Sequence, residues 1–182
     1  MGVSVKDLVL HLLARPDIRA GAGVGRVFEF GGEAVRAMAT DERATLCNMV
    51  AELGGFTGLV APDAETVQFV QARRGQAITL EAWMCSDPGA RCEAEIEVDA
   101  SRLSPMVARP GDPGLGLALA DLAQAVPIAI AYGGSCTAGK REDFAQYHAV
   151  LAWAAGRGPT VAASAIAGEL ISFQALQARH PL

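Results

Sequence analysis

A chain of 182 residues, 51% hydrophobic and 19% charged, carries enough apolar material for a buried core and too much to stay disordered. Its net charge of −5 speaks against a general nucleic-acid binder, which needs an excess of Lys and Arg to meet phosphates. No apolar run reads as a membrane span: the longest, "LGLALADLAQAVPIAIAY", is interrupted by Asp121, Gln124 and Pro127.

The N-terminal stretch "MGVSVKDLVLHLLARPD" has an early acid, Asp7, and no small-residue cleavage pattern, so it reads as a helix and not as a signal peptide. Ser4 is its expected N-cap, with Asp7 three residues on, and Val5, Leu8 and Leu12 share a face. Pro16 and the glycines at 21, 23 and 25 end it. "RVFEFGG" alternates as a strand, and "EAVRAMA" is a short helix. Thr40 is the expected cap of a longer helix running through "ERATLCNMVAEL" to Gly54 and Gly55, with Asp41 and Glu42 in its first turn. "TGLVAPD" reads as a short buried strand, and Asp63 caps the helix "AETVQFVQARR". Helix and strand thus alternate through residue 74, the pattern of an α/β layer.

Beyond it, "AITLEAWM" is compatible with either type, "CSDPGARC" is a turn, and "EAEIEVDA" alternates as a half-exposed strand with Ala94, Ile96 and Val98 on one face. "SPMVARPGDPGLG" reads as a loop or linker. The remainder predicts helix 115–125, strand 127–132, loop 133–140, helix 141–155, strand 159–163 and helix 165–179, a second α/β unit. The expected division is 1–75, a connecting segment 76–114, and 115–182.

Two stretches carry chemistry. In "GGSCTAGKREDF", Cys136 follows a predicted strand and precedes a predicted helix, the place where open α/β sheets bind ligands. Gly133 and Gly134 allow close approach of the backbone, and Ser135 and Thr137 bring hydroxyls. Cys136 is compatible with a cluster thiolate, with a small buried packing residue, or with a nucleophile, although none of His11, His148 and His180 is placed beside it by a motif. Cys47, Cys85 and Cys92 lie at irregular spacings, and without a secretory signal thiols or metal ligands are expected over disulfides. In "TLCNMVAELGG", Asn48 and Glu52 stand four apart, on one face of the predicted helix, among apolar Leu46, Met49, Val50 and Leu53. Such a pair is either a solvated face, a hydrogen-bonded pair inside, or the lining of a cleft.

"RVFEFGGEAVRAMATDERATLCNMVAELGGFTGLVAPDAETVQFV" resembles the central segment of the 3-isopropylmalate dehydratase branch of the aconitase family. "GGSCTAGKREDF" is similar to that family's first cluster-cysteine motif, and weaker similarity runs from about Val5 to about Leu151. The resemblance implies two aconitase-like α/β/α units in three layers. It implies a hydro-lyase that isomerises a 2-hydroxy di- or tricarboxylic acid by dehydration and rehydration, with a [4Fe–4S] cluster. It assigns Cys136 as a cluster ligand and Glu52 as the active-site glutamate. Asn48, Ser135 and Thr137 become substrate-side residues. The family's Asn after Cys-Thr is Ala138 here, and no cysteine follows Cys136, whereas the family supplies a later Cys-x-x-Cys pair. The implied partners are therefore the substrate acid, the remaining large-subunit domains and a small swivel-domain subunit on other chains, with no nucleic acid and no membrane. The implied compartment is the cytoplasm, the pathway leucine biosynthesis, and the isolated chain is expected to be inactive. The alternatives are a non-catalytic aconitase-like binding or scaffold domain that has lost its cluster, and a stand-alone binder of small acids without redox metal.

Overall fold

A computed structural model describes residues 3–124 and 132–157. The chain divides into two compact units, Met1–Ala123 and Gln124–Leu182. The segment 76–114 thus lies wholly within the first unit.

The first unit opens with helix α1 (Val5–Leu13) and the single turn α2 (Pro16–Arg19). The backbone N–H of Ser4 and its hydroxyl both donate to Asp7 Oδ2, each at 2.7 Å, closing the predicted cap. The other oxygen, Oδ1, accepts from the Met106 N–H at 2.6 Å, so one buried carboxylate ties the first turn of the chain to a segment a hundred residues away. Val5, Val9, Leu10, Leu12 and Leu13 are buried, a broader apolar face than the predicted trio, of which Leu8 only packs against the cluster from its rim.

Strand β1 (Val27–Phe30) and strand β2 (Thr57–Val60) pair in parallel, with Phe28 opposite Gly58 and Phe30 opposite Val60. A parallel pair needs a crossover, supplied by α3 (Glu33–Arg36) and α4 (Thr40–Asn48). Phe28, Phe30 and Val60 turn toward the core, and α4 packs on β2. A Cβ at Gly58 would stand 2.8 Å from Cys47 Cα, so the helix rests on the strand where no side chain intervenes. β2 is the short strand expected but is half-buried on one side alone: Leu59 points away from α4 and is 52% exposed, because alternate residues of a strand face opposite sides.

Thr40 is the first helical residue of α4, not its cap; Ala39 holds that place, and its N–H is taken by Glu42 Oε2 at 3.0 Å. The helix stops at Asn48, five residues before the predicted end. The chain there leaves for β2 through the turns Val50 N–H to Cys47 O, Gly54 N–H to Ala51 O and Gly55 N–H to Val50 O. Gly54 has φ +81°, a conformation L side chains avoid. The turn buries Met49, Val50 and Leu53 together, which explains why their spacing reads as helix. Helix α5 (Ala64–Arg74) matches its prediction: Asp63 Oδ1 accepts from Glu65 N–H at 3.0 Å and Thr66 N–H at 3.3 Å, and Gly75 closes it in the left-handed region.

From 76 to 105 the chain has only short 3₁₀ turns, at Ala82–Met84 and Ala100–Arg102. "EAEIEVDA" is not a strand, since no described segment pairs with it, yet its alternation is real: Ile96 and Val98 pack against the core while Glu95 and Glu97 are exposed. The expected linker forms a hairpin, β3 (Met106–Ala108) with β4 (Gly116–Ala118), which packs against α1. The predicted helix 115–125 is replaced by β4 and a 3₁₀ turn, Leu119–Asp121. Tertiary pairing overrides the helix preference of its Leu and Ala residues: Leu119 N–H donates to Pro105 O at 2.7 Å, and a Cβ at Gly116 would lie 3.1 Å from Leu10 O.

In the second unit the described elements are the single turn α6 (Ser135–Ala138) and helix α7 (Arg141–Ala155), the latter spanning its predicted range. The predicted strands 127–132 and 159–163 and helix 165–179 lie wholly or almost wholly outside the described residues. Helices and strands mixed in this order give an α/β fold.

Candidate functional site

Asn48 ends α4 and Glu52 lies in the turn that follows; both side chains are exposed, while Leu46, Met49, Val50 and Leu53 beside them are buried. The predicted contrast between polar pair and apolar neighbours is present, but it is produced by a helix end and a turn instead of one continuous helix. Glu52 makes no hydrogen bond or ion pair with another described residue. An exposed carboxylate of this kind carries little stability, so Glu52→Gln is expected to shift unfolding by less than about 0.5 kcal/mol. A urea melt showing a loss above about 1 kcal/mol would assign Glu52 to the structural framework. Cys47, one residue before Asn48, is half-buried on the strand side, and burial pushes its thiol above the ordinary value.

Ser135, Cys136 and Thr137 occupy consecutive positions of α6 in the second unit. Ser135 has φ +71°, the one described non-glycine residue with positive φ, and follows Gly134 at φ +148°. Cys136 is exposed, with its Sγ 3.9 Å from Ser135 Oγ. Two side chains that sequence reasoning did not single out reach this turn. Lys140 Nζ donates to Thr137 O at 3.1 Å, and Tyr147 OH donates to Ala138 O at 3.1 Å. Lys140 ends the predicted loop and Tyr147 lies two turns into the predicted helix, and no sequence pattern marks either as reaching the turn.

The fit of an iron–sulfur cluster can be tested on the donors present. Clusters are commonly held by several cysteine thiolates. Among the described residues no three His, Cys, Asp or Glu side chains gather as a metal site. Cys136 brings one thiol; Cys85 and Cys92 are exposed and Cys47 is half-buried. The described residues do not by themselves make a complete cluster site.

The model of the aconitase family (aconitate hydratase) matches residues 1–127. Over 155 residues the chain is 39% identical to the chloroplastic 3-isopropylmalate dehydratase large subunit of Arabidopsis thaliana, covering 85% of this chain and 29% of that protein. It is 40% identical over 124 residues to the 3-isopropylmalate dehydratase large subunit of Roseiflexus castenholzii, covering 64% of this chain and 26% of that one. It is 38% identical over 142 residues to 3-isopropylmalate dehydratase large subunit 1 of Methanopyrus kandleri, covering 78% and 32%. The chain belongs to the aconitase family. Within it, the relatives it matches here are large subunits of 3-isopropylmalate dehydratase, and it spans about a quarter to a third of their length. No helix of the described residues is long and apolar enough to cross a membrane.

Proposed function

We propose that this chain is part of a hydro-lyase of the 3-isopropylmalate dehydratase large-subunit type, acting with polypeptides that supply the remaining domains and the small swivel-domain subunit. The observation that carries the reading is the 39% identity to such a large subunit across 85% of the chain, both chemical stretches included. In this reading the two units, Met1–Ala123 and Gln124–Leu182, are parts of three-layer α/β/α bodies in a cytoplasmic enzyme of leucine biosynthesis. Glu52, which is exposed, acts near the hydroxyl or water of a 2-hydroxy acid as the family's active-site glutamate. Asn48, Ser135 and Thr137 offer hydrogen bonds to the substrate's oxygens. Cys136 contributes one thiolate, and the other ligands of a family [4Fe–4S] cluster come from elsewhere in the assembly. Because one thiolate does not hold a cluster, the isolated chain is inactive.

The incomplete donor set also supports a second reading, in which the chain is an aconitase-like binding or scaffold domain without a cluster. One experiment separates the two. The purified chain is treated anaerobically with iron and sulfide, alone and together with a polypeptide carrying the family's Cys-x-x-Cys region and a swivel domain, and assayed for hydration of an unsaturated dicarboxylate. Activity and charge-transfer absorbance only in the mixture, both lost in Cys136→Ser, are expected. A mixture without activity favours the scaffold, and turnover by the chain alone refutes the stated dependence on partners.

A further inference from the structure

The turn carrying Cys136 is held in a conformation its own backbone disfavours. Ser135 sits at φ +71°, where an L residue is strained, and such residues persist only when their surroundings fix them. The turn is also tightly closed, since a Cβ at Gly139 would run into the Ser135 carbonyl oxygen. A four-residue helix has too few internal hydrogen bonds to impose that geometry, so something outside it must.

We propose that Tyr147 is a positioning residue for Cys136, holding the Gly133–Gly139 turn from the flank of α7. Its hydroxyl donates to Ala138 O at 3.1 Å, at the C-terminal end of the turn. Its ring fills the space beneath the N-terminal end, where a Cβ at Gly133 would lie 2.9 Å from Cε2. One rigid side chain therefore touches the turn on both sides of Cys136. The ring is itself fixed: it is half-buried and meets Phe144 edge-on with centroids 5.9 Å apart. Burial, with the charge of Asp143 and then Tyr132 adding to it, raises the pKa of the phenol, so it remains a protonated donor throughout the neutral range. Lys140, which donates to Thr137 O at 3.1 Å and lies 3.6 Å from Asp143, adds a second tie at the same end. The thiol is left exposed while the backbone beneath it is fastened. That Cys136 has a ligand role rests on the family reading above; the tether itself does not.

The test is hydrogen–deuterium exchange of the full chain, read by mass spectrometry on peptides covering 133–140 and, separately, the second half of α7. Tyr147→Phe keeps the ring and deletes only the hydroxyl. It is expected to speed exchange in 133–140 at least fivefold, leaving α7 within twofold of the unmodified chain. Lys140→Met is expected to act in the same direction, and the double variant to exceed either. Exchange in 133–140 unchanged within twofold in Tyr147→Phe overturns the proposal. Equal acceleration of the turn and α7 also overturns it, because Tyr147 would then stabilise its own helix and not the turn. None of these outcomes depends on dehydratase activity, so failure of the tether and failure of the family reading are seen in different experiments.

Discussion

Replacing Arg43 by methionine is expected to destabilise the first unit by about 3 kcal/mol, read as a lowered urea midpoint at unchanged slope. Arg43 is buried, yet each of its three guanidinium nitrogens is paired: Nη1 and Nη2 meet the two oxygens of Asp63 at 2.7 and 2.8 Å, Nε meets Met38 O at 3.0 Å, and Nη2 meets Arg36 O at 3.0 Å. Methionine fills similar space without a donor, leaving two carbonyls and a carboxylate to lose their partner. Breaking a fully buried pair costs about 3–5 kcal/mol; the Asp63 side chain keeps 32% exposure and its own helix-capping bonds, so the low end applies. The pair also sets an acid dependence. Hydrogen bonding from Arg43 lowers the Asp63 carboxyl below its ordinary value of 3.8. Its stabilisation is therefore complete above the unfolded-state value and is lost as pH falls through the lowered folded-state one. The gap between Arg43→Met and the parent should be constant from neutrality to about pH 5 and narrow below the ordinary carboxyl range. A loss under about 1 kcal/mol at neutral pH, or a gap that widens in acid, would show that the pair is not what holds α3, α4 and α5 together.

Leu46→Ala is expected to cost about 3–4 kcal/mol, the other large effect. Leu46 is 0% exposed and belongs to the same cluster as Val9, 0%, and Val50, 1%, in the contact between α1 and α4. Deleting its branched end removes transfer energy and opens a cavity that the two helices, already tied through the core, close only in part. Leu59→Ala is the matched control. It removes the same atoms from a side chain that is 52% exposed, and about 1 kcal/mol or less should be lost. Equal losses in thermal melts of the two variants would mean that Leu46 is not at the centre of the core.

What was legible in the sequence was whatever short-range chemistry decides. Ser4 with Asp7 and Asp63 before Ala64 are local hydrogen-bonding rules, and the helices they begin appear where expected. The likeness of "RVFEFGG…" to the aconitase family was legible too, and the family model matches residues 1–127. The Asn48 and Glu52 setting was half legible. The burial of Met49, Val50 and Leu53 follows from their apolar nature, but whether a helix or a turn buries them depends on where β2 must start.

Long-range contacts decided the rest. The Leu- and Ala-rich stretch after Pro113 has the composition of a helix, yet pairs as β4 because β3 offers it a ladder and α1 offers a surface that glycine can approach. No local pattern joins Arg43 to Asp63 or Asp7 to Met106, since each pair meets only after the elements between them have packed. The same holds for Tyr147 and the Cys136 turn. The sequence marks Cys136 by its glycines and hydroxyls, but the side chain that grips the turn is defined only by the way α7 folds back beside it. Residue type and near neighbours set propensity, caps and chemical capacity; which backbone groups meet a side chain from far along the chain is set by packing alone.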